Sequence, residues 1–339
     1  MTSAPRTYVI AEAGVNHNGS LDLALELVAA AKACGADAVK FQTFEADRLV
    51  TRRAAKAAYQ RAAVPGEDTQ HAMLKALELA STDFRRVRDH CRGVGIAFLS
   101  SPFDERAADL LDELGVEAFK VPSGEITNLP FLRHLGAKRK AVILSTGMSW
   151  LGEVETAVRT LQDAGCADLT LLHCVTEYPA PVEQINLRAM RTLSEAFGLP
   201  VGYSDHTAGI EVPLAAVALG ARVIEKHFTL DTTLPGPDHR ASLDPPGFER
   251  MVAAIRDVER SLGDGLKRPA ACELGNRGVA RKSIVATREL PFGTVLSAAD
   301  LAAKRPADGI PPSAWDEVVG RRLRRALAAD ESLRWQDLA

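Results

Sequence analysis

From Tyr8 onward, short apolar runs alternate with longer stretches in which apolar positions recur every three or four residues. The runs are YVIAEA (8–13), AVKFQT (38–43), IAFLSS (96–101), AFKVPS (118–123), AVILST (141–146), LTLLHC (169–174), VGYSDH (201–206) and VIEKHF (223–228). Their length, apolar character and flanking turn residues predict strands. The intervening patterns, among them 21–34, 83–92, 105–114, 153–164 and 212–219, predict amphipathic helices, several ending at a glycine suited to a C-terminal cap. Strands that alternate with helices pair in parallel. Eight such units in about 250 residues predict a closed (β/α)8 TIM barrel rather than an open doubly wound sheet.

The stretch 44–82 is longer than an ordinary connection and carries a helical pattern of its own at 71–79, which places it over the barrel mouth. A last barrel helix is expected at 248–262, closing a barrel domain of residues 1–265. Residues 266–279 are polar and glycine-containing, the composition of a linker. Residues 280–339 change character: short β-like runs (SIVAT, TVLS), turns at PFG and GIPP, and a basic segment GRRLRRAL. A unit of about 60 residues is near the lower limit for folding alone, so it is expected to pack on something larger.

The whole chain has 339 residues, of which 46% are hydrophobic, enough for a large core. Forty-one basic against forty-four acidic residues give a net charge of -3 with no long run of either sign, which points to neither nucleic acid nor an anionic membrane surface as partner. Five scattered cysteines without a CxxC fit reduced thiols rather than a disulfide framework. The first strand begins within a few residues of Met1 and no run of about 18 apolar residues follows, so a soluble, cytoplasmic protein is expected.

The inward face of a barrel strand is normally filled by branched aliphatic residues. Here the inward positions near the carboxyl ends are Glu12, Lys40 with Gln42, Ser101, Lys120, Ser145, Ser204 with His206, and Glu225 with His227. Such groups either pair among themselves, Lys40 or Lys120 with Glu225 for example, or receive a ligand, because leaving them buried and unpaired costs several kcal/mol each. Two lysines and the hydroxyls of Ser101, Ser123, Ser145, Ser204 and Thr176 are what a small phosphate monoester needs. There is no GxxxxGK[ST] loop for a nucleoside triphosphate.

His206 and His227 sit at neighbouring strand ends, where two imidazoles can share one divalent cation whose shell is completed by water or carboxylate oxygen, an open Lewis acid. His17 and His239 are expected to contact substrate or loop, and His71, His90 and His134, in helical stretches, to be structural or solvated. Cys174 directly follows His173, so the two face opposite ways and Cys174 is assigned to core packing. A metal-dependent aldolase or phosphosugar isomerase could use the same parts on the same fold.

Taken as an ordered set, AEAGVNHNGS, KFQTF, FLSSPFD, FKVPSGE, ILSTGM, LLHC with EYP, SDHT, EKHFT, GPDH and KRP with DGI resemble the sialic acid synthase family from about residue 7 to 338. The resemblance implies a TIM barrel followed by a small antifreeze-like (SAF, β-clip) domain. The implied reaction adds carbon 3 of phosphoenolpyruvate to the aldehyde of an open-chain N-acyl hexosamine, after which water attacks carbon 2 and phosphate leaves. It further implies phosphoenolpyruvate binding by Lys40, Ser101, Lys120, Ser123, Ser145, Thr176 and Ser204. A divalent metal, Mn2+ before Mg2+ or Co2+, is implied at His206 and His227, with catalytic roles for both histidines, Glu12 and Asp238. Sugar contacts are implied for Glu12, Gln42, Tyr178, Asp238 and Arg305, the last reaching across a domain-swapped homodimer.

The chain departs from N-acetylneuraminate synthases at Thr176-Glu177, where those have Asn and an aliphatic residue before Tyr-Pro, which puts the phosphate role of Thr176 in question. The stretches EYPAP, GPDHRAS, AAYQ and MLKALEL are more similar to synthases of N,N'-diacetyllegionaminate. That product is preferred over N-acetylneuraminate formed from N-acetylmannosamine.

Overall fold

The computed structural model describes residues 6–64 and 69–339. Residues 1–5, ahead of the first strand, and residues 65–68 of the long loop lie outside the described residues. The chain divides into two compact units, one ending at Gly263 and the other beginning at Asp264.

The first unit is built on eight strands, β1 (Tyr8–Gly14), β2 (Ala38–Thr43), β3 (Ala97–Pro102), β4 (Ala118–Val121), β5 (Ala141–Ser145), β6 (Leu169–Cys174), β7 (Val201–Asp205) and β8 (Val223–His227). All registered pairs are parallel, in the order β3-β2-β1-β8-β7-β6-β5-β4, and β3 lies against β4 to close the barrel. Each strand falls within two residues of its expected bounds.

The major helices are α1 (Leu21–Ala33), α5 (Ser81–Val94), α6 (Glu105–Glu113), α7 (Leu129–Ala137), α8 (Leu151–Asp163), α9 (Ala189–Phe197), α10 (Glu211–Ala218) and α11 (Pro245–Leu262). Local chemistry fixes several ends: Asp104 and Asp244 accept the backbone N–H groups of Ala107 and Gly247, at 2.8 and 2.9 Å, as N-caps. The loop 44–82 holds three helices, α2 (Ala46–Leu49), α3 (Ala58–Ala63) and α4 (Gln70–Leu77), where the sequence pattern showed one. The first two span four and six residues, too short for a period of 3.6 to stand out. No helix among the described residues is long and apolar enough to cross a membrane.

In the second unit, helix α12 (Leu274–Ala280) occupies part of the stretch whose composition suggested a linker. SIVA forms β9 (Ser283–Ala286), which pairs antiparallel with β10 (Leu301–Lys304). TVLS, the other β-like run, contributes an isolated bridge between Val295 and Arg322. Ser297 and Asp300 then bond each other in a tight turn that redirects the chain into β10. A short helix, α13 (Trp315–Val318), and a separate core around Ile284, Leu290, Leu301 and Leu333 complete the unit.

What positions the site is the layering inside the barrel. Ile10, Ala38, Leu99, Ile143, Leu172 and Val223 form an apolar floor across the interior, and the polar strand ends stand above it. On β7 the interior is so tight that a Cβ added to Gly202 would lie 2.3 Å from the carbonyl oxygen of Val223 and 2.7 Å from the Leu172 side chain. Gly202→Ala is therefore expected to destabilise the chain by about 1–3 kcal/mol in denaturant unfolding. Gly152→Ala in α8, where an added Cβ meets nothing within 4 Å, is expected to be neutral or to gain up to ~1 kcal/mol. Equal unfolding midpoints for the two variants would contradict this packing.

Candidate active site

Strand register brings the charged side chains together. Glu12 pairs in register with Lys40 on one side and with His227 on the other, while Ser204 pairs with Glu225. Lys40 Nζ lies 2.5 Å from Glu12 Oε2 and 3.7 Å from Glu225 Oε2, and it donates to Ser101 Oγ at 3.1 Å. Lys120 Nζ stands 3.4 Å from Glu225 Oε1, which also accepts a hydrogen bond from Ser204 Oγ at 2.8 Å. None of the four charged residues is more than 4% exposed.

Mutual pairing is thus realised, with Glu225 between two ammonium groups. It leaves work undone, because Ser145 Oγ and Thr176 Oγ1 are buried in the same cavity with no hydrogen-bond partner. The cavity encloses about 280 Å³, the scale of small molecules rather than of a polymer.

Burial raises the Glu225 carboxyl, but the two flanking lysines more than offset this and hold it below the usual range. Burial pushes Glu12 up and outweighs Lys40. Burial alone would lower both lysines. Lys40 nonetheless stays above its ordinary value beside two carboxylates, whereas Lys120, with Glu225 as its near partner, is lowered. The floor of the site is therefore a poised arrangement of positive charge and unsatisfied hydroxyls.

Beside it stand the two imidazoles, their ring centroids 5.4 Å apart, with the Tyr178 ring 4.2 Å from His206 and 5.4 Å from His227. His206 Nδ1 lies 2.6 Å from the carbonyl oxygen of Val175, which makes Nδ1 the protonated nitrogen and leaves the Nε2 lone pair available. Burial lowers both histidines, and His227 further through its neighbours His206 and Lys40, so both are neutral near pH 7, the state that ligates metals. His227 Nδ1 is a buried atom without a hydrogen-bond partner, 3.8 Å from Asp238 Oδ2. Two neutral nitrogen donors with one orphaned atom fit a divalent cation. Among the described residues no group of three or more His, Cys, Asp or Glu gathers as a closed metal cage.

The remaining expected residues fall as follows. Gln42 Nε2 donates to Glu12 Oε1 at 3.2 Å. Ser123 Oγ accepts the N–H of Gly147 at 3.0 Å, and a Cβ on Gly147 would come within 2.3 Å of Thr176 Oγ1 and 2.8 Å of Ser123 Oγ, so this cradle admits only glycine. Asp238 is buried near His227, and burial pushes its carboxyl up to about 6. Arg305 belongs to the second unit, where its Nε donates to the carbonyl oxygen of Ala280 at 2.9 Å. His17 and His239 brace loops: His17 Nδ1 accepts from Gly19 N–H at 3.1 Å, and His239 Nδ1 meets Thr229 Oγ1 at 2.6 Å.

Cys174 is buried, as expected, and it also lines the cavity, 3.1 Å from Ser123 Oγ, while His173 turns the other way to the carbonyl oxygen of Ile185. Cys174 shares the parity of Leu172 on the barrel floor. Composition gave no hint that Leu49, Val50, Gln60, Gln70 and Leu74 complete the cavity wall, since their arrival depends on how the long loop folds back.

The chain matches the NeuB family over residues 27–267 and the SAF domain over residues 281–339. It belongs to the NeuB family. It is 50% identical to an N,N'-diacetyllegionaminic acid synthase of Legionella pneumophila over 99% of this chain and 96% of that one. It is 47% identical to a protein of the same description from Campylobacter jejuni over 97% and 99% of the two chains. Among solved structures it resembles an N-acetylneuraminic acid synthetase from Leptospira borgpetersenii, with a TM-score of 0.72 and 35% identity over 80% of this chain and 90% of that one. This NeuB family member is thus an enzyme with a TIM barrel and a SAF domain.

If the lysine floor is an anion site, Lys120→Met should weaken binding of inorganic phosphate to the full chain by tenfold or more, on the order expected for a lost charge-assisted contact, as read by titration calorimetry. Unchanged affinity would move the anion elsewhere.

Proposed function

We propose that this chain is a nonulosonate synthase that condenses phosphoenolpyruvate with an open-chain N-acyl hexosamine, forming N,N'-diacetyllegionaminate. The observation that carries it is the juxtaposition of Lys40, Lys120 and unpartnered hydroxyls with a neutral histidine pair in one small cavity. The lysines, with Ser101, Ser123, Ser145, Thr176 and Ser204, would hold the phosphate and carboxylate of phosphoenolpyruvate. A divalent cation on His206 and His227, Mn2+ by preference, would supply Lewis-acid polarisation of the sugar aldehyde.

Glu12, Gln42, Tyr178 and Asp238 would orient the sugar so that its carbon 1 faces carbon 3 of phosphoenolpyruvate. The new carbon–carbon bond leaves an alkoxide, which takes a proton. A water oxygen then bonds to carbon 2 and gives up a proton, and the bond from carbon 2 to the phosphate oxygen breaks. Glu12 and Asp238, both pushed up by burial, are the carboxyls able to hold or release those protons near neutrality.

The choice of sugar is supported by the relatives at 50% and 47% identity, both described as N,N'-diacetyllegionaminic acid synthases. Arg305, exposed on the second unit, is proposed to reach the sugar's acyl group in a second copy of the chain, making a swapped homodimer. The described cysteines are all free, in keeping with a reducing cytoplasmic setting.

Phosphate release from phosphoenolpyruvate should require both Mn2+ and 2,4-diacetamido-2,4,6-trideoxymannose, with N-acetylmannosamine a poorer substrate. No release with any N-acyl hexosamine would refute the synthase reading. Excess EDTA should abolish turnover, and full activity in chelator would remove the cation from the scheme. Arg305→Ala should raise KM for the sugar by about tenfold or more, the loss of a charge-assisted hydrogen bond, while leaving KM for phosphoenolpyruvate in place. An unchanged sugar KM would reject its proposed contact.

A further inference from the structure

Strands β7 and β8 carry a second buried ion pair that the proposed reaction does not use. Ser204, His206, Glu225 and His227 line the cavity; Asp205 and Lys226, the alternate positions, do not, and they pair in register with each other. Asp205 is 0% and Lys226 1% exposed, and Lys226 Nζ lies 2.5 Å from Asp205 Oδ2. Their strand neighbours of the same parity, Tyr203, Ile224 and Phe228, belong to the apolar core beneath the helices.

Thr207 completes a closed knot. Its N–H and Oγ1 donate to Asp205 Oδ1 at 3.1 and 2.9 Å, and Lys226 Nζ donates to its carbonyl oxygen. A buried ion pair is seldom more stabilising than apolar side chains of similar volume, so stability alone gives little reason for charge in this layer. Directional bonding does. The knot ties the residue before His206, the residue after it and the residue before His227 to one point.

The knot is a direct side-chain link between these two strand ends on the face away from the cavity; on the cavity face Ser204 and Glu225 make another. His206 is otherwise anchored toward the preceding strand, by its ring to the Val175 carbonyl and by its own carbonyl to the Ala180 N–H at 2.8 Å. His227 is anchored toward β1 and to Leu243, whose N–H donates to its carbonyl at 2.9 Å. We propose that Asp205 and Lys226, tied by Thr207, are positioning residues that set the spacing of His206 and His227 and thereby their joint affinity for a divalent cation. This rests on the cation assignment made under the proposed function.

The test is the full-length Asp205→Leu/Lys226→Met double variant, which replaces the ion pair by apolar side chains. Its melting temperature should stay within a few degrees of the parent. Its Mn2+ affinity, read from the electron paramagnetic resonance signal of free Mn2+, should fall by about 10- to 100-fold, the scale of a lost outer-sphere contact. Turnover should fall with it and recover as Mn2+ is raised, while KM for phosphoenolpyruvate holds.

A folded double variant with parental Mn2+ affinity overturns the proposal. Should the double variant not fold, Thr207→Val decides, since it removes the hydroxyl tether and leaves the ion pair. A loss of Mn2+ affinity of roughly two- to tenfold supports the proposal, and unchanged affinity overturns it. If the parent itself binds no Mn2+, the cation assignment falls, which is a different result from equal binding by parent and variant.

Discussion

Two lysine ammonium groups and two glutamate carboxylates are held inside a barrel, out of contact with bulk water, above a floor of Ile10, Leu99, Ile143 and Leu172. Each charge alone would be expelled from such a place or neutralised by a shifted pKa. They persist because strand register fixes them within reach of one another, with Glu225 shared between Lys40 and Lys120. A loop could not hold that geometry against the gain from rehydration. Eight hydrogen-bonded strands can, and this is the constraint on which the site depends.

The same arrangement makes the site receptive. A carboxylate that neutralises two lysines in the resting protein can share them with an incoming phosphate, whose extra oxygens would also satisfy Ser145 Oγ and Thr176 Oγ1. On the proposed reading, the charged layer would favour anions with several acceptors. The histidine pair lies beside it, already neutral through burial, so a cation and an anion can be held a few ångströms apart without competing for protons. Carbon–carbon bond formation between an anionic enol phosphate and a polarised aldehyde needs that separation of roles.

Much of this was legible in the sequence because period-2 alternation is a strong signal when it is violated. Glu12, Lys40, Lys120, Ser204, Glu225 and the two histidines announce themselves by standing where Val, Ile or Leu should stand, and all seven meet in one cavity. That Cys174, buried as expected, also lines the cavity escaped because a thiol on an inward position looks like any small apolar residue. The walls from the loop after β2 escaped for another reason: Leu49 and Leu74 come from separate short helices, and no local period encodes how the loop folds back. The Asp205–Lys226 knot was hidden by parity itself, since an outward-facing charge on a barrel strand is easily taken for one more helix contact. The proposed role of Arg305 rests on resemblance alone.

The central claim is that carbon 2 of phosphoenolpyruvate, not its phosphorus, is attacked by water once the new carbon–carbon bond has formed. Running the reaction with the preferred sugar and Mn2+ in water enriched in oxygen-18, and reading the released phosphate by phosphorus-31 NMR, tests this directly. The account predicts phosphate free of the label, with the heavy oxygen on carbon 2 of the sugar acid. Phosphate carrying one oxygen-18 would mean cleavage at phosphorus and would contradict it.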